Sequence, residues 1–216
     1  MSVRPEFGPT LPALLGARGV SRRAMAMGAV ALVLLAAVAW LLVQSTRDRE
    51  HLVVAGPPTF NLVYAPSALR ERPARDGELA RLEGRLKRIS VEITVRPVEI
   101  PSAAPDDFIG GELPAAAESR IDELRAIYGA IEVFDEGKSR INRLPGYQIG
   151  FGARTPSGQR LFGRDAYAFP DEPGATEGVL LSLRRVIRGR QRVREEEFFD
   201  QAKEAFASFA FGESQP

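Results

Sequence analysis

Six arginines fall within the eleven residues from Arg184 to Arg194: Arg184, Arg185, Arg188, Arg190, Arg192 and Arg194. A guanidinium is planar and always charged, and its fork of donors matches phosphate and carboxylate oxygens. The run is therefore the best anion-binding candidate in the chain, with Arg184, Arg185, Arg188, Arg190 and Arg192 as its members. Anionic lipid headgroups, an anionic polymer of the cell envelope or an acidic protein partner would suit it. The plainer reading is a solvated strand end and loop, partly neutralised by Glu195, Glu196 and Glu197. Nucleic acid is disfavoured. No aromatic side chains interleave with the arginines, and 29 Lys and Arg against 28 Asp and Glu leave a net charge of only +1.

Other chemistry is sparse. His51 is the single histidine, so any Ser-His-Asp or histidine–zinc site would have to be built on it. Its place in a polar stretch beside an apolar segment reads as solvated. There is no cysteine, which excludes disulfides, thiolate metal sites and a cysteine nucleophile. Gly150-Phe151-Gly152 lacks the third glycine of a dinucleotide fingerprint, and Pro156 stands where the helix should begin. These glycines read as part of a twisted strand. Asp106-Asp107, Asp171-Glu172 and Glu195–Glu197 are acidic clusters without calcium-loop spacing, and the last suits a helix N-terminus. The expectation is no catalytic set, no metal and no cofactor. Carboxylate-only hydrolysis of an envelope glycan is the enzymatic alternative.

What positions such residues begins with Ala24 to Val43, twenty residues without a charge. At about 1.5 Å per residue they match a bilayer core of about 30 Å. Arg4, Arg18, Arg22 and Arg23 precede the segment against Glu6 alone, whereas Arg47 and Arg49 follow it interleaved with Asp48 and Glu50. Basic residues favour the cytoplasmic side, so the N-terminus is expected inside and the bulk of the chain outside, at the cell membrane. Trp40 suits the outer interface. Ala37-Val38-Ala39 is a signal-peptidase pattern, but the apolar run continues to Val43, which favours an uncleaved anchor. Gly28 with Ala24 and Ala31 permits close helix approach, so a membrane protein partner, with the chain as its accessory subunit, is a further alternative.

The segments expected are a disordered tail over 1–23, a transmembrane helix over 24–43, a stalk over 44–58, an extracytoplasmic α+β domain over 59–212 and a short tail over 213–216. Within the stalk, 52–55 could pair as a short strand. Phe60, Leu62 and Tyr64 alternate as a strand. Leu79, Leu82 and Leu86 lie at helical spacing and predict a helix over 78–88, weakened by Gly84. Residues 90–100 alternate, and Pro97 argues for an edge or a bulge. Ile121, Leu124, Ile127, Tyr128 and Ile131 mark the clearest helix, from Ala115. A hairpin turning at Asp135-Glu136-Gly137 is predicted next. Strands follow at 147–153, 159–169 and 179–186, then a helix over 195–206 with Phe198, Phe199, Ala202 and Phe206 inward, and a closing strand at 208–211. Short turns between strands require antiparallel pairing, so the fold class is α+β, a mostly antiparallel sheet flanked by helices.

This order of elements resembles the PsbP-like superfamily. The matching residues are Phe60-x-Leu62-x-Tyr64-x-Pro66, a hairpin bearing Gly163-Arg164, and Ser208-Phe209-x-Phe211 after a helix. The resemblance covers most of 59–212. It implies an α/β/α sandwich and a binding or accessory role, and it carries over no catalytic residues. Arginine outnumbers lysine heavily (only Lys87, Lys138 and Lys203), which reads as the composition of a GC-rich bacterium.

Overall fold

Period-two alternation of apolar residues builds most of this molecule, and two-residue turns fold it back on itself. The computed structural model describes residues 22–47, 49–100, 112–172, 175–189 and 193–212. The chain divides into two compact units, Met1–Arg47 and Asp48–Pro216.

In the first unit, helix α1 (Arg22–Arg47) contains the whole apolar segment. Over 26–40, where its side chains are described, every residue is exposed, Leu32 at 71% and Trp40 at 62%. Among the residues described with their side chains, which in this helix are 26–40, no helix is long and apolar enough to cross a membrane. The expected tails over 1–23, apart from Arg22 and Arg23, and over 213–216 lie outside the described residues.

Among the described residues the second unit holds ten strands. They are β1 (Glu50–Val54), β2 (Phe60–Tyr64), β3 (Arg70–Glu71), β4 (Ala80–Leu86) and β5 (Ile89–Glu99), then β6 (Glu132–Ile141), β7 (Leu144–Arg154), β8 (Arg160–Ala168), β9 (Glu177–Ile187) and β10 (Ala210–Phe211). Helices α2 (Leu113–Tyr128) and α3 (Val193–Ala207) complete it. Seven strands form an antiparallel sheet in the order β3-β4-β5-β9-β8-β7-β6, and β1-β2-β10 form a second, smaller sheet. The fold class is α+β. On one face of the large sheet, α3 and the small sheet bury Phe60, Leu62, Leu82, Ile93, Leu181 and Phe206 in one core. On the other face α2 packs Ala117 and Ile121 against Tyr147, Ile149 and Tyr167, and Leu124 against Phe151 and Leu161.

Three expectations change. The helix predicted over 78–88 is strand β4, turned into β5 by Lys87-Arg88 with Lys87 at φ 50°. Its three leucines fit a helix, but the residues that share the core face are Ala80, Leu82 and Leu86, two or four apart. Gly84 belongs to that face, because a Cβ there would sit 2.1 Å from the Ala68 carbonyl oxygen. The turn at Asp135-Glu136-Gly137 does not exist. β6 runs straight through with a bulge between Val133 and Asp135, and the chain reverses at Asn142-Arg143, with φ 44° and 71°. The inner stripe of α2 is Leu113, Ala117, Arg120, Ile121 and Leu124, so Ile127 faces outward at 57% exposure. The short strand expected at 52–55 within the stalk is present as β1, two residues earlier, and its Leu52 enters the core. Pro97 sits in β5, between β4 and β9. It lies beyond Val95, where β4 pairing ends, so on that side β5 is locally an edge and no ladder donor is lost.

Candidate functional site

Helix α2 packs on β7 and β8, with Leu180 of β9 and Val98 of β5 at the margin of its core, and beyond it the same sheet face carries a cleft over β3, β4 and β5. Register fixes what stands there. One row across the strands reads Arg70, Glu83, Glu92, Arg184, Gly163 and Phe151. A neighbouring row reads Arg81, Thr94, Ser182 and Asp165, and a third reads Arg85, Ser90, Val186 and Leu161. Arg70, Glu83, Glu92 and Arg184 of the first row, Arg81 of the second and all four residues of the third line an open cleft of about 730 Å³, walled by Tyr128 at the end of α2 and by the Pro66–Arg75 segment. Six arginines line it, Arg70, Arg72, Arg75, Arg81, Arg85 and Arg184, together with Glu83 and Glu92.

Glu83 and Glu92 are direct cross-strand partners, an arrangement that repels when both are charged. Arg81 resolves it. Its guanidinium, 3% exposed, donates to Glu83 at 2.8 Å, to Glu78 at 3.3 Å and to Glu92. Burial alone would lower the Arg81 pKa, but Glu83 and then Glu92 and Glu78 outweigh it and the pKa rises. A second buried network lies where α2 meets the sheet. Asp165, wholly buried, accepts Arg120 Nε at 2.8 Å, Arg184 Nη2 at 2.9 Å and Arg184 Nη1. Burial pushes the Asp165 carboxyl up, yet Arg184 and Arg120 outweigh it and hold it below the usual carboxylate range. Arg120 also reaches Glu123. The Arg184 guanidinium lies 4.8 Å over the Phe151 ring, a cation–π contact. Phe151 can lie flat there because position 163 is glycine, where a Cβ would meet the ring at 2.3 Å.

The arginine run does not form one patch. Arg184 and Arg185 are adjacent in β9 and point to opposite faces. Arg184 is bound to Asp165 in the cleft, whereas Arg185 sits between Phe162 and Phe199, 4.9 and 4.0 Å from their centroids. Burial, then Arg160, lowers the pKa of Arg185. Arg188 is exposed and donates to Gln159 at 3.0 Å. Arg190 and Arg192 lie outside the described residues, and so do Asp106 and Asp107. His51 is exposed on β1, and Gly150 and Gly152 lie in β7. No group of three His, Cys, Asp or Glu side chains that could hold a metal ion occurs among the described residues.

Sequence reasoning missed the arginines of β3, β4 and the loop between them. Arg81, Glu83 and Arg85 alternate with Ala80, Leu82 and Gly84, a period-two signal for the polar face of a strand. The three leucines, at helical spacing, hid it.

No family profile and no curated protein sequence matches the chain. Several solved structures are similar to it. The PsbP of the cyanobacterium Synechocystis (CyanoP) has 9% identity and a TM-score of 0.49, covering 76% of this chain and 93% of its own. A member of the superfamily that the sequence resembles is thus among them. The Ran-binding protein Mog1p of Saccharomyces cerevisiae has 12% identity and a TM-score of 0.46, covering 76% and 95%. LpqN, involved in cell envelope biogenesis of Mycobacterium tuberculosis, has 12% identity and a TM-score of 0.45, covering 78% and 92%.

Proposed function

We propose that this chain is a binding or accessory module, tethered to a membrane by α1, that presents the open half of its sheet on the extracytoplasmic side. The cleft carries the reading. It is concave, it is dominated by arginine, and its two carboxylates are engaged by Arg81. In this cleft a carboxylate-dependent hydrolase would have to use Glu83 and Glu92. As direct cross-strand partners their Cβ atoms are about 4.5–5.5 Å apart on one surface. They are side by side on the cleft floor, rather than on two walls facing a substrate between them.

The tether rests on α1. Its described side chains are exposed on every side, and apolar residues exposed all round a helix belong in apolar surroundings. The whole charge-free segment lies inside this one helix. The arginine excess before it supports an N-terminus in the cytoplasm.

Because the chain has no cysteine, introduced thiols report without background. With a membrane-impermeant maleimide on intact cells, Asp171→Cys should be labelled and Ser2→Cys only after lysis. Labelling of Ser2→Cys alone on intact cells, or recovery of the chain in the soluble fraction, would overturn the tether and its orientation.

A further inference from the structure

We infer that the cleft over β3, β4 and β5 is an oxyanion site for a ligand carrying at least two phosphate-type groups, an inference that rests on the binding-module reading. Charge is the first argument. Six guanidinium groups line the cleft, and four carboxylates meet them: Glu83 and Glu92 on its floor and Glu78 and Asp165 beneath. Two positive charges are left over in a chain whose whole net charge is +1.

Placement is the second. Arg81 and Arg184 are held by acids, whereas the guanidinium groups of Arg70 and Arg85 are exposed and have no hydrogen-bond or ion-pair partner among the described residues. Arg70 pairs with Glu83, so Arg85, two residues on, is its diagonal neighbour on the same face. Diagonal positions are about 7–8 Å apart. Two flexible guanidinium forks at that spacing can close on one phosphate or bridge two. The acids hold Arg81 and Arg184 in place and neutralise them, so the floor is fixed and the surplus positive charge lies with Arg70, Arg72, Arg75 and Arg85 around it. Ser67 and Ser90 line the same cleft and add uncharged donors.

This site differs from the one the sequence suggested. Its arginines come from β3, β4, β9 and the loop between β3 and β4, and it shares only Arg184 with the arginine run.

The test uses the full chain in non-ionic detergent, titrated with sodium tripolyphosphate in a calorimeter. Wild type should bind. The double reversal Arg70→Glu/Arg85→Glu should weaken binding on the order of a hundredfold, about tenfold for each guanidinium removed from the ligand. Both positions are exposed, and the neutral pair Arg70→Gln/Arg85→Gln guards against a folding defect, with an unchanged melting curve and weakened binding. Arg188→Glu, outside the cleft, should bind as wild type does. A second arm offers vesicles of phosphatidylcholine with or without phosphatidylglycerol. Binding to anionic vesicles that needs Arg70 and Arg85, without tripolyphosphate binding, identifies a lipid headgroup as the source. Binding in neither arm, or binding that ignores the double reversal, overturns the inference. Thiol labelling decides the tether independently, so the two failures are distinguishable.

Discussion

Replacing Asp165 with alanine should destabilise the domain more than removal of any surface charge. The carboxylate has no exposure and accepts three N–H groups, from Arg120 and Arg184, whose side chains are only 9% and 12% exposed. Removing it leaves Arg184 buried without a counter-charge and Arg120 with only the exposed Glu123. Breaking a buried pair this way costs about 3–5 kcal/mol. For a domain of this size each kcal/mol moves the melting temperature by about 2–4 °C, so the drop should be about 6–20 °C. Circular dichroism of the β-rich signal during heating, with the full chain in detergent, reads it. Asp122→Ala, which breaks the exposed pair with Arg125, is the reference and should change stability by about 0–1 kcal/mol. The pH dependence has a defined sign. Asp165 has a folded pKa below its unfolded value of about 3.9. Its contribution is therefore complete above about pH 5 and is lost as pH falls through the folded pKa, and the alanine variant should lack that acid-limb loss. Exchanging all three groups at once, Arg120→Met/Asp165→Leu/Arg184→Met, should recover most of the stability. A single-variant loss below about 1 kcal/mol would refute the reasoning. So would a triple variant as unstable as the single.

Two further outcomes test the local geometry. Gly163→Ala should cost about 1–3 kcal/mol, since its Cβ would lie 2.3 Å from the Phe151 ring and displace it from beneath Arg184; a urea titration indistinguishable from wild type would mean that the ring moves freely. Arg143→Gly should raise stability by up to about 1 kcal/mol, because Arg143 is held at φ 71° in a two-residue turn that favours glycine; a lower midpoint would show that the arginine side chain does more for the turn than its backbone strain undoes.

Alternation made most strands legible, because each has one face on the core: Phe60, Leu62 and Tyr64, or Tyr147, Ile149 and Phe151, declare themselves without help from the rest of the chain. Turn chemistry was legible where it used common residues, as at Thr155–Gly158. Asn142-Arg143 was not, since nothing about arginine announces a left-handed backbone, whereas Asp-Glu-Gly imitates a turn inside a continuous strand. β4 failed for a different reason. Its leucines satisfy two periods at once, and only the pairing of β4 with β5 decides between them. The cleft could not be seen in the sequence for the same reason. Arg70, Arg85 and Arg184 come from three strands, and strand order is a tertiary fact. The run at 184–194 was conspicuous because its members are adjacent in the chain, yet adjacency in a strand sends Arg184 and Arg185 to opposite faces. Arg120 was hidden on α2 as an ordinary polar residue, because only the sheet beneath supplies Asp165.

The small sheet has a temporal meaning. β2 lies near the start of the domain, yet it is completed by β10, by the Ser208 hydroxyl bound to the Val63 amide across 145 residues, and by Asn61 bound to the Gly212 carbonyl across 151. Contacts of such sequence separation form late, because the loop they close must first be collapsed. The hairpins β4–β5, β6–β7 and β7–β8 can each form from local chain alone, whereas Phe60 cannot meet Phe209, 5.4 Å away in the finished core, until nearly all of the domain is available. A nascent chain can pair β2 with β1 from local sequence, but the other edge of β2 stays open until the segment from Ser208 to Gly212 is available to cover it.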